Sequence, residues 1–159
     1  MVDKDEIRYR LRKFFDIIGV VTIDDNGLVS CREAKLLVSH YHTQLPVQFH
    51  TVDTFYAYNN HLTNLIGAPQ HSNEINCVGS TLTSLEGLPT EPHSIRSLSF
   101  TYRPTLPLLR CLVSTTVELA RAPKEVATII ARYAGQGEAG AFACGAELAT
   151  AGFKENARW

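Results

Sequence analysis

The sequence has no long apolar run and no excess of basic charge. Because no apolar stretch approaches the roughly 18–20 residues that a bilayer-spanning helix needs, we expect no membrane span. The opening residues 1–6 are mostly charged and contain no apolar signal core, which predicts no secretory leader. A formal net charge of -1 leaves no general basic stripe for nucleic acid. We therefore expect a cytoplasmic protein whose partner is neither a membrane nor a nucleic acid.

The sequence also lacks any close pair of cysteines. In a chain without a leader, scattered cysteines are more typical of reduced core thiols than of a disulfide framework. A length of 159 residues with 45% hydrophobic residues suits one compact domain. We expect this domain to bury all four cysteines as free thiols: Cys31, Cys77, Cys111 and Cys144.

An internal repeat occupies the middle of the chain. Residues 55–69 align with residues 75–89, and every position moves by 20. The shared pattern is apolar-x-small-x-x-polar-x-Leu-Thr-x-Leu-x-Gly-apolar-Pro. Weaker copies flank this pair, one around Leu37 and Leu45, one from Ile95, and one over 109–123. One such unit cannot cover its own apolar edge, so we expect the units to stack into a parallel array around a shared core.

The spacing within a unit predicts a short strand followed by a return path. Phe55 and Ala57 alternate as the inward side of a strand does, and Asn60 then turns the chain. Two leucines re-enter the core, and a Gly-x-Pro turn follows. The expected shared interior is lined by Phe55, Ile75, Leu62, Leu82, Leu65 and Leu85.

This pattern resembles the leucine-rich repeat. The matching residues are Val52, Phe55, Ala57, Asn60, Leu62 and Leu65, and residues 75–89 match with Cys77 and Ser80 at two of the positions. A period of 20 and the segment Leu82–Pro89 are similar to short repeats of bacterial and bacteriophage proteins. Ser80 and Phe100 are expected to replace the family's turn asparagine. The resemblance covers about residues 35–123 and implies a non-enzymatic interaction module.

Both ends of the array require caps. Apolar residues at helical spacing predict a helix over 3–18, and two short apolar runs around Asn26–Gly27 predict a hairpin from about 20 to 31. Pro123 is expected to open a helix that ends at Ala134. A second helix is expected over 138–151, with Ala141, Phe142, Leu148 and Ala149 packing inward.

The expected fold class is therefore an α/β repeat. It is a short leucine-rich-repeat-like solenoid with parallel strands over 35–123. The N-terminal helix and β-hairpin cap it over 1–34, and the C-terminal helices cap it over 124–159. All three parts are expected to form one compact domain.

The strands predict a partner-binding face. If positions 55, 57, 75, 77, 95 and 97 face the core, the intervening residues face solvent. Tyrosine, arginine and exposed leucine are suited to protein interfaces. The resemblance implies that the partner is a bacterial host protein of a phage-encoded factor; the alternative is a self-associating structural protein, such as a homodimer. The expected partner-binding residues are Tyr56, Tyr58, Asn76, Val78, Arg96 and Leu98, with Arg110 and Leu112 in the last unit.

The sequence shows no complete motif for catalysis or for a cofactor. His40 and His42 would share one face of a strand, but two histidines are half of a zinc site, so metal binding is only an alternative. The GxGxxG string at 135–140 follows a helix and not a strand, which is the wrong context for a dinucleotide. We therefore expect no enzyme activity, no cofactor and no metal.

Overall fold

The computed structural model describes residues 1–37 and 42–159. In chain order, its helices and strands are α1 (Lys4–Phe14), β1 (Phe15–Ile18), β2 (Thr22–Ile23), β3 (Val29–Leu36), β4 (Phe49–Tyr56), β5 (Ser72–Cys77), β6 (Ile95–Thr101), a 3-10 helix (Leu109–Val113), β7 (Ser114–Ala120), α2 (Lys124–Tyr133) and α3 (Glu138–Thr150).

The strands form one sheet in the order β1, β3, β4, β5, β6, β7, with β2 also beside β3. Strands β3 to β7 pair in parallel, each with the next one along the chain. Each parallel pair is joined by a coil that returns under the sheet, so the chain winds into a solenoid. The predicted stacking of parallel strands is confirmed. Within the residues described, the helices are all too short to cross a membrane.

The six residues expected to share the interior do so. Phe55 lies beside Ile75 in the register of β4 and β5, and both side chains are fully buried. The leucines of the return path, Leu62, Leu65, Leu82 and Leu85, belong to the same apolar cluster. The polar turn residues of these two coils, Asn60 and Ser80, are buried as well.

Side-chain hydrogen bonds stack these two turns. The Asn60 side chain donates to the Ala57 carbonyl and accepts from the Leu62 backbone N–H at 2.9 Å. One coil later, the Ser80 hydroxyl donates to the same Ala57 carbonyl at 2.7 Å and lies 3.2 Å from Asn60 Oδ1. Ser80 thus bonds back to the turn of the preceding coil, and its own buried hydroxyl is not left without a partner, which would be costly.

The expectation that the 20-residue period continues from β5 to the next strand is wrong. Ile75 pairs with Leu98, and Ser72 pairs with Ile95, so this coil spans 98 − 75 = 23 residues instead of 20. Its turn contains extra chain, since six positions separate Pro89 from Ile95 whereas three separate Pro69 from Ser72. Phe100 consequently lies beside Cys77 in the core and not at the turn.

The expectation that a repeat unit begins with a strand at Leu109 is also wrong. Residues Leu109–Val113 form the 3-10 helix, and the final strand begins at Ser114. Four of the five residues in the 3-10 helix are buried, so this segment fills the core instead of extending the sheet. Two adjacent buried residues, Leu112 and Val113, exclude the alternation that a half-exposed strand requires.

The N-terminal cap differs from expectation at one boundary. Helix α1 ends at Phe14, and Phe15–Ile18 form β1 instead of a further helical turn. β1 pairs antiparallel with β3, where Ile17 lies opposite Ala34. The predicted hairpin is confirmed, because Thr22 lies opposite Ser30 and β2 is antiparallel to β3. β-Branched isoleucines favour this extended conformation over a helix.

The C-terminal cap contains the two expected helices. α2 follows Pro123, and α3 begins directly after Gly137. The inward face of α3 is Gly140, Cys144 and Leu148, which lie one helical turn apart. The expectation that Phe142 packs inward is wrong: its side chain is 90% exposed.

Candidate protein-binding face

The open face is the side of strands β3 to β7 that points away from the core. Inward residues alternate with outward ones, so Tyr56 stands between the buried Phe55 and Ala57. This face is in contact with solvent, since its residues Asp53, Asn73 and Arg96 are exposed. Partly exposed side chains fill its centre: Glu33, Lys35, Thr54, Tyr56, Tyr58, Glu74, Asn76, Val78, Ser97 and Thr101.

A pair of tyrosines lies on the open face where β4 ends. The rings of Tyr56 and Tyr58 meet edge to face, with centroids 5.9 Å apart. Lys35 on β3 places its Nζ 5.3 Å from the centroid of the Tyr58 ring, within reach of a cation–π interaction. These contacts limit the freedom of both rings before any partner arrives.

Two carboxylates flank the tyrosine pair. Glu33 on β3 and Glu74 on β5 both lie opposite Thr54 of the intervening strand. Tyr56 is the next outward residue on that strand, and its pKa is raised by partial burial and then by Glu74 and Glu33. The negative charges disfavour ionisation of the hydroxyl, so Tyr56 presents a neutral hydrogen-bond donor in an acidic setting.

A polar cavity of about 460 Å³ lies at the end of the open face where the strands begin. Its lining includes two imidazoles, His71 and His93, the guanidinium of Arg96 and the carboxylate of Asp53. His93 has the left-handed backbone angle φ +64°, and its Nδ1 lies 3.1 Å from Thr115 Oγ1. The cavity joins both charge signs in a single concave patch.

The structure places five of the eight expected binding residues on the open face and the other three elsewhere. Tyr56, Tyr58, Asn76 and Val78 are half-buried there, and Arg96 is exposed.

The expected exposure of the two leucines is wrong. Leu98 and Leu112 have no exposed surface, because the longer coil turns Leu98 inward and the 3-10 helix buries Leu112. Arg110 is half-exposed but belongs to that 3-10 helix, where its guanidinium lies 5.9 Å from the Trp159 ring centroid. Neither Arg110 nor Leu112 is part of the final strand.

Sequence reasoning missed the contribution of β3. Lys35 and Glu33 belong to the open face because β3 is the first strand of the parallel array as well as a member of the hairpin. A sequence signal was present: Cys31, Ala34 and Leu36 repeat the inward positions Val52, Phe55 and Ala57 with a constant shift of 21.

The two histidines considered as zinc ligands are His40 and His42. His40 lies outside the described residues, and the His42 ring meets the edge of Phe14 with centroids 4.5 Å apart. In residues 1–37 and 42–159, no three His, Cys, Asp or Glu side chains are grouped as a metal site would require.

The four thiols are buried and unpaired with one another in disulfides. Burial raises the pKa of Cys31 to about 11 and that of Cys77 to about 12. Burial likewise raises the pKa of Cys111 and of Cys144. Thiols held in the protonated form are poor nucleophiles at neutral pH.

Comparison with known protein families, with curated proteins and with solved structures found no match to this chain.

Proposed function

We propose that this chain is a non-enzymatic protein-binding module and that the open face is its binding surface. The observation that carries this proposal is the Tyr56–Tyr58 pair, fixed between charged side chains on a solvent-facing parallel sheet. The proposed setting is the cytoplasm, and the proposed module uses neither a cofactor nor a metal.

The tyrosines have the properties of interface anchors. Each supplies a large apolar ring and a hydroxyl, and tyrosine is enriched among residues that dominate binding energy. The edge-to-face contact and the nearby Lys35 amine already restrict the two rings. A partner would therefore lose less side-chain entropy when it orders them.

The charged neighbours favour a partner with a basic contact residue. Glu33 and Glu74 approach Tyr56 from the two adjacent strands. A lysine or arginine of the partner could pair with either carboxylate while it covers the tyrosine ring. Arg96 and Asp53, farther along the face, would fix the orientation through their opposite charges.

We also propose that the repeats are of the leucine-rich type and that the partner is a bacterial host protein. The buried turn residue Asn60 and the inward spacing Val52, Phe55 and Ala57 support the repeat type. The resemblance of Leu82–Pro89 to phage-associated repeats motivates the proposed partner. On this view the chain is a phage- or prophage-encoded factor that modulates the protein it binds.

The test is a comparative pull-down from bacterial lysate. Immobilised wild type is compared with Tyr56→Glu and with Ala139→Glu, a matched control at an exposed position in the first turn of α3. Circular dichroism confirms that both variants fold. We expect a protein that wild type and the Ala139→Glu variant retain and that the Tyr56→Glu variant loses; direct titration of that purified protein must then show the same difference.

Two results would contradict the proposal. The first is that the Tyr56→Glu variant retains every protein that wild type retains. The second is a stable homodimer in light scattering that Tyr56→Glu converts to monomers, because the open face would then be occupied by a second copy of this chain. That second result would support the self-associating alternative.

A further inference from the structure

The first edge of the sheet is unprotected. Strands β1 and β2 form this edge, and among the described strands only β3 pairs with them. Exposed edges invite pairing with another chain, and proteins usually guard them with charge or proline. Here the one charged residue of β1 and β2 is Asp16, and the edge segment carries exposed apolar side chains: Ile18 is 40% exposed, Val20 is 84% exposed and Val21 is 38% exposed.

The backbone of β1 is oriented to receive another strand. The Leu37 N–H donates to the Phe14 carbonyl at 2.9 Å. Because hydrogen-bonded and non-hydrogen-bonded residue pairs alternate along an antiparallel pair of strands, this bond fixes which residues of β1 bond to β3. Asp16 and Ile18 therefore exchange hydrogen bonds with β3, whereas the N–H and C=O of Ile17 point to the open edge. An added strand can pair with Ile17 without disturbing the existing sheet.

An apolar groove lies beside this edge. It has a volume of about 470 Å³ and runs between α1 and the edge strands. Its apolar lining consists of Leu11, Phe15, Ile17, Val21 and Ile23.

Two arginines line the same groove. Arg8 is exposed and pairs with the exposed Asp5 at 2.8 Å. Arg12 is exposed, and its Nε donates to the Arg8 carbonyl at 3.3 Å; the ion pairs of the described residues do not include it. The groove is therefore apolar along its floor and positively charged along its helix side.

We propose that this edge groove binds an extended acidic segment of a partner protein by adding it as a strand beside β1. Alternate side chains of that segment enter the groove and contact Phe15 and Ile17, as side chains of an added strand do. Its carboxylates pair with Arg12 and Arg8. This site is separate from the open face and does not depend on it.

The charges favour an acidic partner over a second copy of this chain. A symmetric pairing of two β1 strands would place the arginines of both copies along one joined groove. The chain's own edge acid cannot neutralise them, because Asp16 lies opposite Lys35 and points to the other side of the sheet from Phe15 and Ile17. The groove lining itself includes no acidic residue.

The test uses synthetic peptides on the full chain. The probe is fluorescein-labelled Val-Thr-Glu-Thr-Val-Thr-Glu, in which the Val and Glu side chains share one face of an extended strand, measured by fluorescence anisotropy at low salt. One comparison peptide replaces each Glu by Lys, and another carries N-methyl groups on alternate amides, which removes the pairing donors. We expect the acidic peptide to bind, and both comparison peptides to bind at least about fivefold more weakly.

Matched variants locate the site. Val21→Ser removes an apolar side chain from the groove, and we expect it to weaken binding about fivefold. Val20→Ser, at the exposed neighbour outside the groove, is expected to leave binding unchanged. Arg12→Glu is expected to lower the affinity for the acidic peptide about fivefold. Lys154→Glu, the same charge change on the exposed C-terminal tail, is expected to leave that affinity unchanged.

The proposal is overturned by any of three results. The Lys peptide or the N-methylated peptide binds as tightly as the acidic one. The Val20→Ser and Val21→Ser variants lose equal affinity. Sedimentation velocity shows a stable dimer that Val21→Ser dissociates, which would assign the edge to a second copy of the chain.

Discussion

Replacement of Asn156 by alanine should destabilise the whole solenoid, although this residue belongs to the C-terminal tail. The Asn156 side chain is 1% exposed, and its Nδ2 donates to the carbonyls of Leu106 and Arg103 at 2.8 and 3.1 Å. Its Oδ1 accepts from the Tyr102 hydroxyl at 2.9 Å. Arg103 stands at the turn position that Asn60 occupies in its coil, and the tail amide holds this turn through the carbonyls of Arg103 and Leu106.

The magnitude follows from the groups left without partners. The buried Leu106 carbonyl loses its donor, which costs about 1–3 kcal/mol, whereas the Arg103 carbonyl keeps the Leu106 N–H at 3.1 Å and the half-buried Tyr102 hydroxyl can turn to water at little cost. We expect Asn156→Ala to lower the free energy of unfolding by roughly 1–3 kcal/mol. For a chain of this size, the midpoint of thermal unfolding should fall by roughly 2–12 °C.

Urea unfolding followed by circular dichroism measures the effect. The midpoint should fall while the dependence of the free energy on urea stays constant, because the surface exposed on unfolding is unchanged. The control is Asn73→Ala, since Asn73 is an exposed residue of β5. Equal stability of wild type and Asn156→Ala, within about 0.5 kcal/mol, would refute the role assigned to the tail.

Three further predictions concern the core, the turns and the thiols. Leu98→Ala should cost about 2–5 kcal/mol in urea unfolding, whereas Phe142→Ala, at an exposed residue, should change stability by less than about 0.5 kcal/mol; equal effects would contradict the assigned register. Gly87→Ala should cost roughly 3 kcal/mol or more, because φ is +102° and the added Cβ would overlap the Leu65 carbonyl. Gly152→Ala, at φ +95° with open space around it, should cost only about 1 kcal/mol, and a thermal melt compares the two. Burial raises the pKa of Cys31 and of Cys144 to about 11. The stability that comes from their protonated thiols is therefore complete below the pKa of the unfolded state and is lost as the pH rises from about 9 towards 11. A free energy of unfolding that stays constant over that range would contradict this prediction.

The stacking of coils could be predicted because it depends on local spacing. The shift of 20 between residues 55–69 and 75–89 places Phe55 beside Ile75, as the register shows. The hairpin was equally local, since Asn26–Gly27 lies between two apolar runs. In these places the pattern of side chains and the geometry of the backbone favour the same structure.

The register beyond β5 could not be predicted, because it depends on the length of a turn. The chain between Pro89 and Ile95 is longer than the equivalent chain after Pro69, and the apolar pattern of β6 tolerates either alignment. The correct one buries Leu98 and leaves Arg96 exposed. A shift in strand register moves side chains to the opposite face, so this turn misplaced Leu98. Arg110 and Leu112 were misplaced because no sequence pattern indicated the 3-10 helix.

The edge groove could not be predicted from the sequence either, because it depends on tertiary pairing. Residues 3–18 have apolar side chains at helical spacing, and this pattern continues into a segment that is extended in the structure. Tertiary pairing of β1 with β3 outweighs the local preference there. Similarly, no periodicity links Asn156 to Leu106, which lie 50 residues apart.

The most direct test of the solenoid is the pattern of cross-strand contacts in an isotope-labelled sample. Nuclear Overhauser effects between backbone protons should link Phe55 to Ile75 and Ile75 to Leu98, as parallel neighbours require. Contacts of Ile75 with Ile95 in place of Leu98 would contradict the register of β6, and the absence of any contact between the 55 and 75 segments would contradict the stacked coils on which the open face depends.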